Sequence, residues 1–240
     1  MRKRHRTSRV AGALALAMGL TVLTGCGATQ KAKLNQQAGC AMLAPDVCQN
    51  LVATVGDDRV GLRYVARGVT WSQYTKVLIS PVAFYGSSES KVSASDQQEL
   101  TNYLHQALVK SVGAKLSLAD RPGPGVMRLQ VGITDVEGAT PALRTVSMLV
   151  PQARALATLK YLATGTYPFV GSAEAEALVQ DSVSGKVLAA AMDRRVGGGS
   201  LTTAAQWSMG DAENAMNKWA DITATRLSEL QQGTFQSSGK

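Results

Sequence analysis

The side chains of this 240-residue chain that would suit acid–base chemistry are two glutamates and a histidine. Glu174 and Glu176 lie two residues apart in a predicted strand, so both would project from one face, as a general acid and its base require. The alternative is an ordinary solvated strand face, on which Arg194 or Arg195 would offset the acids across a hairpin. We favour the solvated face because exposed polar residues alternate with buried ones in a half-buried strand.

Nucleophilic and metal chemistry lack the partners that they need. His105 is the one histidine beyond residue 25, and no Gly-x-Ser-x-Gly motif accompanies it. The glycines at 197–199 lack the lysine of a phosphate-binding loop. A zinc site would need a close pair of cysteines or further histidines. The sequence therefore predicts no catalytic residues, no metal site and no cofactor.

The first cysteine carries the clearest chemical signal. Cys26 ends the sequence LTGC, which follows a basic segment and an apolar stretch from Val10 to Leu23. A positive start, a short apolar run and a small-residue exit define a secretory signal. The LTGC ending resembles the lipobox of bacterial lipoproteins, in which the chain is cut before the cysteine and the cysteine is acylated. We therefore predict that residues 1–25 are a signal peptide that is removed, and that Cys26 is the site of lipid attachment.

Two further cysteines, Cys40 and Cys48, would then lie in an oxidising compartment. An even number of cysteines in an exported chain favours a disulfide. The alternative is a pair of unpaired thiols in a loose leader. We favour a disulfide near the start of the domain.

The charge of the chain depends strongly on the signal. Residues 1–25 hold five of the 25 basic residues and none of the 17 acidic ones, so 20 basic residues against 17 acidic ones leave a net charge of +3 in place of +8. This balance argues against a nucleic-acid partner, which would require a basic patch. The apolar stretch is shorter than the roughly 20 residues of a membrane span. We expect attachment to a membrane through acylated Cys26, and no crossing of it.

Periodicity predicts the elements of one domain. Apolar residues recur at helical spacing after Ser95, which would form a capping box with Gln98, and again from 203 to 231. Alternation or apolar runs predict strands at 62–67, 76–84, 126–136, 173–181 and 186–193, the last two joined by a turn at 182–185. These elements predict an α+β two-layer domain, with a mixed, mostly antiparallel sheet and helices packed on one face. The predicted regions are a lipidated tether and irregular lead-in at 26–60, the domain at 61–231 and a frayed tail at 232–240.

An apolar segment with only basic charges lies between residues 142 and 163. A short helix is predicted within it, from about 152 to 163. We name Val146, Met148, Leu149 and Leu156 as candidate contacts with a membrane or a partner. The alternative, which we favour, is that the segment packs as core over the open end of the sheet.

Two stretches of the chain resemble a known family. The sequence WSQYTKVLISPV at 71–82 and the sequence DSVSGKVLAAAMDRRVG at 181–197 are similar to two motifs of the Gram-negative lipoproteins grouped as domain of unknown function 3313. The resemblance covers about residues 60–231. It implies an envelope lipoprotein domain without established catalytic residues.

The expected function is therefore that of a non-enzymatic, lipid-anchored envelope lipoprotein, an accessory or partner-binding module that faces the periplasm. Gly27 follows the lipidated cysteine in place of the aspartate that resembles an inner-membrane retention signal, which favours the outer membrane. The alternatives are a binder of lipid or another small hydrophobic ligand, and an envelope hydrolase that uses Glu174 or Asp193.

Overall fold

The computed structural model describes residues 29–32, 34, 40–56, 59–86, 92–137, 171–197 and 210–235. These residues form one mixed sheet and two long helices. The nine strands of the sheet are β1 Thr29–Lys31, β2 Val52–Ala53, β3 Leu62–Val65, β4 Lys76–Ile79, β5 Ala83–Phe84, β6 Ser117–Leu118, β7 Val126–Glu137, β8 Ser172–Asp181 and β9 Val187–Gly197. The helices are α1 Pro45–Gln49, α2 Ala94–Gly113 and α3 Gly210–Gln232, with a 3₁₀ turn at Trp71–Gln73.

Three long antiparallel strands form the centre of the sheet. The order across it is β2-β3-β9-β8-β7-β4-β6, while β1 also pairs with β9 and β5 also pairs with β7. The pairs β4–β6, β4–β7 and β5–β7 are parallel, and the other pairs are antiparallel. The predicted mixed, mostly antiparallel sheet of an α+β domain is thus confirmed.

One face of the sheet is covered by α2 and α3. The buried stripe of α2 is Leu100, Leu104, Leu108 and Val112. It packs in one core with the alternate apolar residues of β7, such as Leu129 and Ile133, and with Met216, Ala220 and Leu227 of α3. These faces follow from the 3.6-residue period of the helices and the two-residue period of the strands.

The opposite face carries a smaller apolar cluster. Leu43, Val47 and Leu51, from α1 and the segments beside it, pack on Ala190 and Met192 of β9. Part of the interval that the sequence predicts as an irregular lead-in therefore belongs to the folded domain. Its strands are only two or three residues long, which is too short for alternation to reveal them.

The ends of two elements also differ from the predictions. Ser93, not Ser95, is the N-cap of α2, and its hydroxyl accepts a hydrogen bond from the backbone N–H of Asp96. Beyond α3, the guanidinium of Arg63 lies over the ring of Phe235, 5.0 Å from the ring centroid. The predicted frayed tail therefore begins later than residue 232. The hairpin turn is as predicted, with Gly185 at a φ of 72°.

Candidate functional site

Several predicted site residues lie outside the described residues. These are the lipid-attachment residue Cys26 and the candidate contacts Val146, Met148, Leu149 and Leu156, together with the helix predicted at 152–163. Within the part of the chain that the structure describes, no helix is long and apolar enough to cross a membrane.

Cys40 and Cys48 are joined by a disulfide, with their Cα atoms 6.0 Å apart. The bridge ties the segment before α1 to the end of that helix. The enclosed residues include Leu43 and Val47, both buried against the sheet. The disulfide thus closes a small loop that docks on the face opposite α2 and α3.

Glu176 holds this loop on the sheet. Its carboxylate accepts backbone N–H groups from Ala41 at 2.6 Å, Met42 at 2.9 Å and Leu43 at 2.8 Å. Only 1% of the residue is exposed. The prediction of a solvated strand face is therefore wrong at Glu176, because a loop from more than 130 residues earlier covers it.

Glu174 has a different environment on the same strand face. The register of β7 against β8 shifts between Ile133 and Asp135. The Arg194 guanidinium lies 3.6 Å from the Asp135 carboxylate and 3.9 Å from that of Glu174. Burial raises the pKa of Glu174, and the hydrogen bond from Thr134 and the charge of Arg194 only partly offset that rise. The two glutamates do not form an acid–base pair, since the Glu176 carboxylate is occupied by three backbone donors.

A buried polar network links the sheet to α3. One oxygen of Asp193 accepts from Arg195 Nε at 2.8 Å and from Trp219 Nε1 at 2.9 Å, and the other accepts the N–H of Gly61 at 2.7 Å. Arg195 also donates to the carbonyl of Arg59 at 2.9 Å. Burial raises the pKa of Asp193, while Arg195 and the two other donors favour its charged form. With all its carboxylate oxygens engaged, Asp193 is arranged for structure rather than for proton transfer.

An apolar cavity of about 90 Å³ lies between the sheet and α3. The sheet contributes small side chains at its floor, and α3 contributes larger ones at its wall. The floor includes Ala177, Ala189 and Ala191, and the wall includes Ile222, Leu227 and Leu230. Alanines leave a gap because their side chains cannot reach the helix across the layer.

Three arginines line the same cavity. They are Arg59, Arg63 and Arg226, and no acidic residue is among the described residues that line it. Burial lowers the pKa of Arg63, and the charges of Arg59 and Arg226 lower it further. The guanidinium nevertheless stays cationic at neutral pH, as arginines in proteins do. The cavity therefore combines an apolar interior with a concentration of positive charge.

A second cavity of about 40 Å³ adjoins the first, since Val60, Ala177, Ala191 and Thr223 line both. Its far end is formed by Asp193 and Trp219 of the buried network. Leu104 and Leu108 of α2 line this second cavity as well.

Other chemistry has little support among the described residues. No group of three or more metal-ligating side chains occurs there. The Nδ1 atom of His105 is buried, and it has no hydrogen-bond partner among the described residues.

The sequence reasoning missed the cavity and its arginines. Two signals were present: Arg63 interrupts a largely apolar strand, and four alanines occur between residues 177 and 191 at positions 177, 189, 190 and 191. Neither signal predicts a cavity by itself, because the gap also depends on where α3 lies.

A family model described as "Protein of unknown function (DUF3313)" matches residues 44–223. This match agrees with the family resemblance of the two motifs. No curated protein matches the chain.

Solved structures offer distant likenesses. The PelC dodecamer from Paraburkholderia phytofirmans is 11% identical, with a TM-score of 0.35, and the match covers 67% of this chain and 95% of that one. A Xanthomonas campestris protein of the DUF330 family model is 12% identical, with a TM-score of 0.40, over 68% of this chain and 91% of that one. At this level of similarity no functional property carries over.

Proposed function

Because this chain belongs to the DUF3313 family of proteins of unknown function, we propose a role for it from its own residues. The protein is a non-enzymatic lipoprotein of the bacterial cell envelope, anchored through acylated Cys26. It serves as an accessory or partner-binding module on the periplasmic side of the outer membrane. The segment with Val146, Met148, Leu149 and Leu156 is its proposed contact with a membrane or an envelope protein.

The observation that carries this proposal is the disulfide between Cys40 and Cys48. Disulfides persist in oxidising compartments such as the periplasm and are rare in the cytosol. The bridge occurs 14 residues after Cys26, the last residue of the signal-like LTGC sequence. An export signal followed closely by a disulfide supports an envelope location.

The start of β1 supports attachment close to a membrane. Thr29 begins β1 and pairs with Gly197 at the end of β9. Three residues of extended chain span at most about 10 Å. An acyl group on Cys26 would therefore hold this end of the sheet near the lipid headgroups, with little freedom for the domain to move away.

Fractionation of cells that express Cys26→Ser tests the anchor. We expect the variant to lose acylation and to leave the membrane fraction or to remain uncleaved. The matched control is the double variant Cys40→Ser/Cys48→Ser, which should lose the disulfide and keep the acyl group. If Cys26→Ser stays processed and membrane-bound, the proposal of a lipid anchor is wrong.

Crosslinking in living cells tests the partner-binding role. A partner-binding module should give a discrete crosslinked envelope protein, and Leu149→Asp should weaken that product while the melting temperature stays unchanged. A sharp fall in the melting temperature would show instead that the segment belongs to the core.

The alternative function is binding of a small hydrophobic ligand. The observation that favours it is the apolar cavity between the sheet and α3. A ligand binder of this kind should copurify with lipid that mass spectrometry detects.

A further inference from the structure

We propose that the cavity between the sheet and α3 binds the carbon atoms nearest the head in the alkyl chain of a single-chain anionic amphiphile, a fatty acid or a lysophospholipid, and that Arg59, Arg63 and Arg226 hold the anionic head. This inference rests on the ligand-binding alternative given above. It does not depend on the lipid anchor.

The interior of the cavity fits an alkyl chain by its chemistry and by its size. Apolar side chains from both layers form its surface, among them Leu129, Val179, Ile222 and Leu230. Its volume of about 90 Å³ compares with the roughly 150 Å³ of an engineered apolar cavity that binds benzene. This space accepts a few carbon atoms of one chain but not two chains side by side.

The charged side chains specify the head of the ligand. All the charged residues that line the cavity in the described part of the chain are arginines. Glu229 pairs with Arg226 at 2.7 Å. Arg63 is held in place from one side by the ring of Phe235, which is itself part of the lining. Guanidinium groups bind carboxylates and phosphates through short, charge-assisted hydrogen bonds.

An anion at this point would also relieve repulsion. The charges of Arg59 and Arg226 both lower the pKa of Arg63, so each of them repels its guanidinium group. A carboxylate or a phosphate among them replaces that repulsion by attraction. An uncharged head of the same size gains nothing from it.

Photolabelling of the full-length protein in its own membranes tests the proposal. Three probes share one alkyl chain that carries a diazirine: a fatty acid, a lysophosphatidic acid and the fatty alcohol. We expect the two anionic probes to label peptides from residues 222–230, and the alcohol to label them about tenfold less, since hydrogen bonds to charged groups contribute about 1.5–3 kcal/mol. The more strongly labelling of the two anionic probes identifies the source of the head.

Variants separate the head from the chain. Arg63→Gln should reduce labelling by the anionic probes about tenfold and leave labelling by the alcohol unchanged. Arg67→Gln is the matched control, because Arg67 is exposed on the same stretch of chain and does not line the cavity. Ala191→Leu should fill the cavity and abolish labelling by every probe, and Ala177→Leu is a second filling variant if the first lowers the melting temperature.

The outcomes distinguish failure of the inference from failure of the ligand-binding alternative. Equal labelling by the alcohol and the acids, abolished by Ala191→Leu, would refute the anionic head and keep a hydrophobic ligand. Labelling of residues 222–230 that both filling variants leave intact would refute the cavity as the binding site altogether.

Discussion

Removal of the Asp193 charge should show whether the buried network fastens α3 to the sheet. Only 2% of Asp193 is exposed, and its carboxylate accepts buried hydrogen bonds from Arg195, Trp219 and the backbone of Gly61. In Asp193→Asn the amide N–H₂ replaces one acceptor, and the guanidinium of Arg195 stays buried without its carboxylate. Loss of one partner of a buried ion pair typically costs about 3–5 kcal/mol. We expect the free energy of unfolding to fall by about that amount.

A double-mutant cycle with Trp219→Phe isolates the contact to the helix. Trp219→Phe removes the indole N–H that donates to Asp193 at 2.9 Å, and a hydrogen bond to a charged group contributes about 1.5–3 kcal/mol. Because Asp193→Asn removes the charge that strengthens this bond and Trp219→Phe removes the bond itself, the double variant should lose about 1 kcal/mol less than the sum of the two single losses. Urea unfolding of the unaltered protein, the two single variants and the double variant gives the four free energies of unfolding, compared at one common slope m against urea concentration.

The control for this cycle is Trp71→Phe. The ring of Trp71 contacts the ring of Tyr74 in a tilted arrangement. In the part of the chain that the structure describes, Trp71 makes no hydrogen bond to Asp193. Its loss should add to that of Asp193→Asn within about 0.5 kcal/mol. If the cycle with Trp219 is equally additive, the hydrogen bond does not couple the helix to the sheet and the reasoning is wrong.

Two further predictions concern the glutamates of β8. Glu176→Gln should lower the free energy of unfolding by about 1–3 kcal/mol, because at least one of the three backbone N–H groups of the loop then faces the amide N–H₂. The variant should also speed reduction of the Cys40–Cys48 disulfide by dithiothreitol. Exposed Glu99→Gln is the control, and unchanged unfolding and thiol release in Glu176→Gln would count against the docking role. Burial raises the pKa of Glu174, so folding favours its protonated form. The stability that this form contributes is complete below the unfolded pKa of 4.5 and is lost as the pH rises through the folded pKa. The unfolding free energy should therefore fall less between pH 4 and pH 7 in Glu174→Gln than in the unaltered protein, and identical pH profiles would exclude this effect.

Local periodicity accounts for the elements that the sequence predicts well. The strand at 126–137, the hairpin around Gly185 and the buried stripe of α2 each follow from spacing within a single segment. The sequence places the N-cap of α2 two residues too late, since Ser93 and Ser95 both have a hydroxyl that can accept a hydrogen bond from the first turn. Only the backbone geometry decides between them.

The features that sequence reasoning missed depend on contacts between distant segments. Glu176 occupies a position that alternation assigns to solvent, and it is buried only because the loop at 41–43 covers it. Strands β1 and β2 are recognisable only through their partners β9 and β3. The cavity likewise arises where alanines of the sheet meet α3. No local pattern contains these relations.

The proposed anchor and the proposed ligand are connected through β9. Thr29 of β1 pairs with Gly197 at the end of β9, and Ala191 of β9 lines the cavity. Six residues of strand span about 20 Å, and the three residues from Cys26 to Thr29 add at most about 10 Å. An acylated Cys26 would thus keep the cavity within roughly 30 Å of the headgroups. A single-chain amphiphile leaves a bilayer far more easily than a two-chain lipid, because each buried methylene contributes about 0.8 kcal/mol to retention and the single chain has about half as many. The distance therefore favours a single-chain ligand for the arginines to hold.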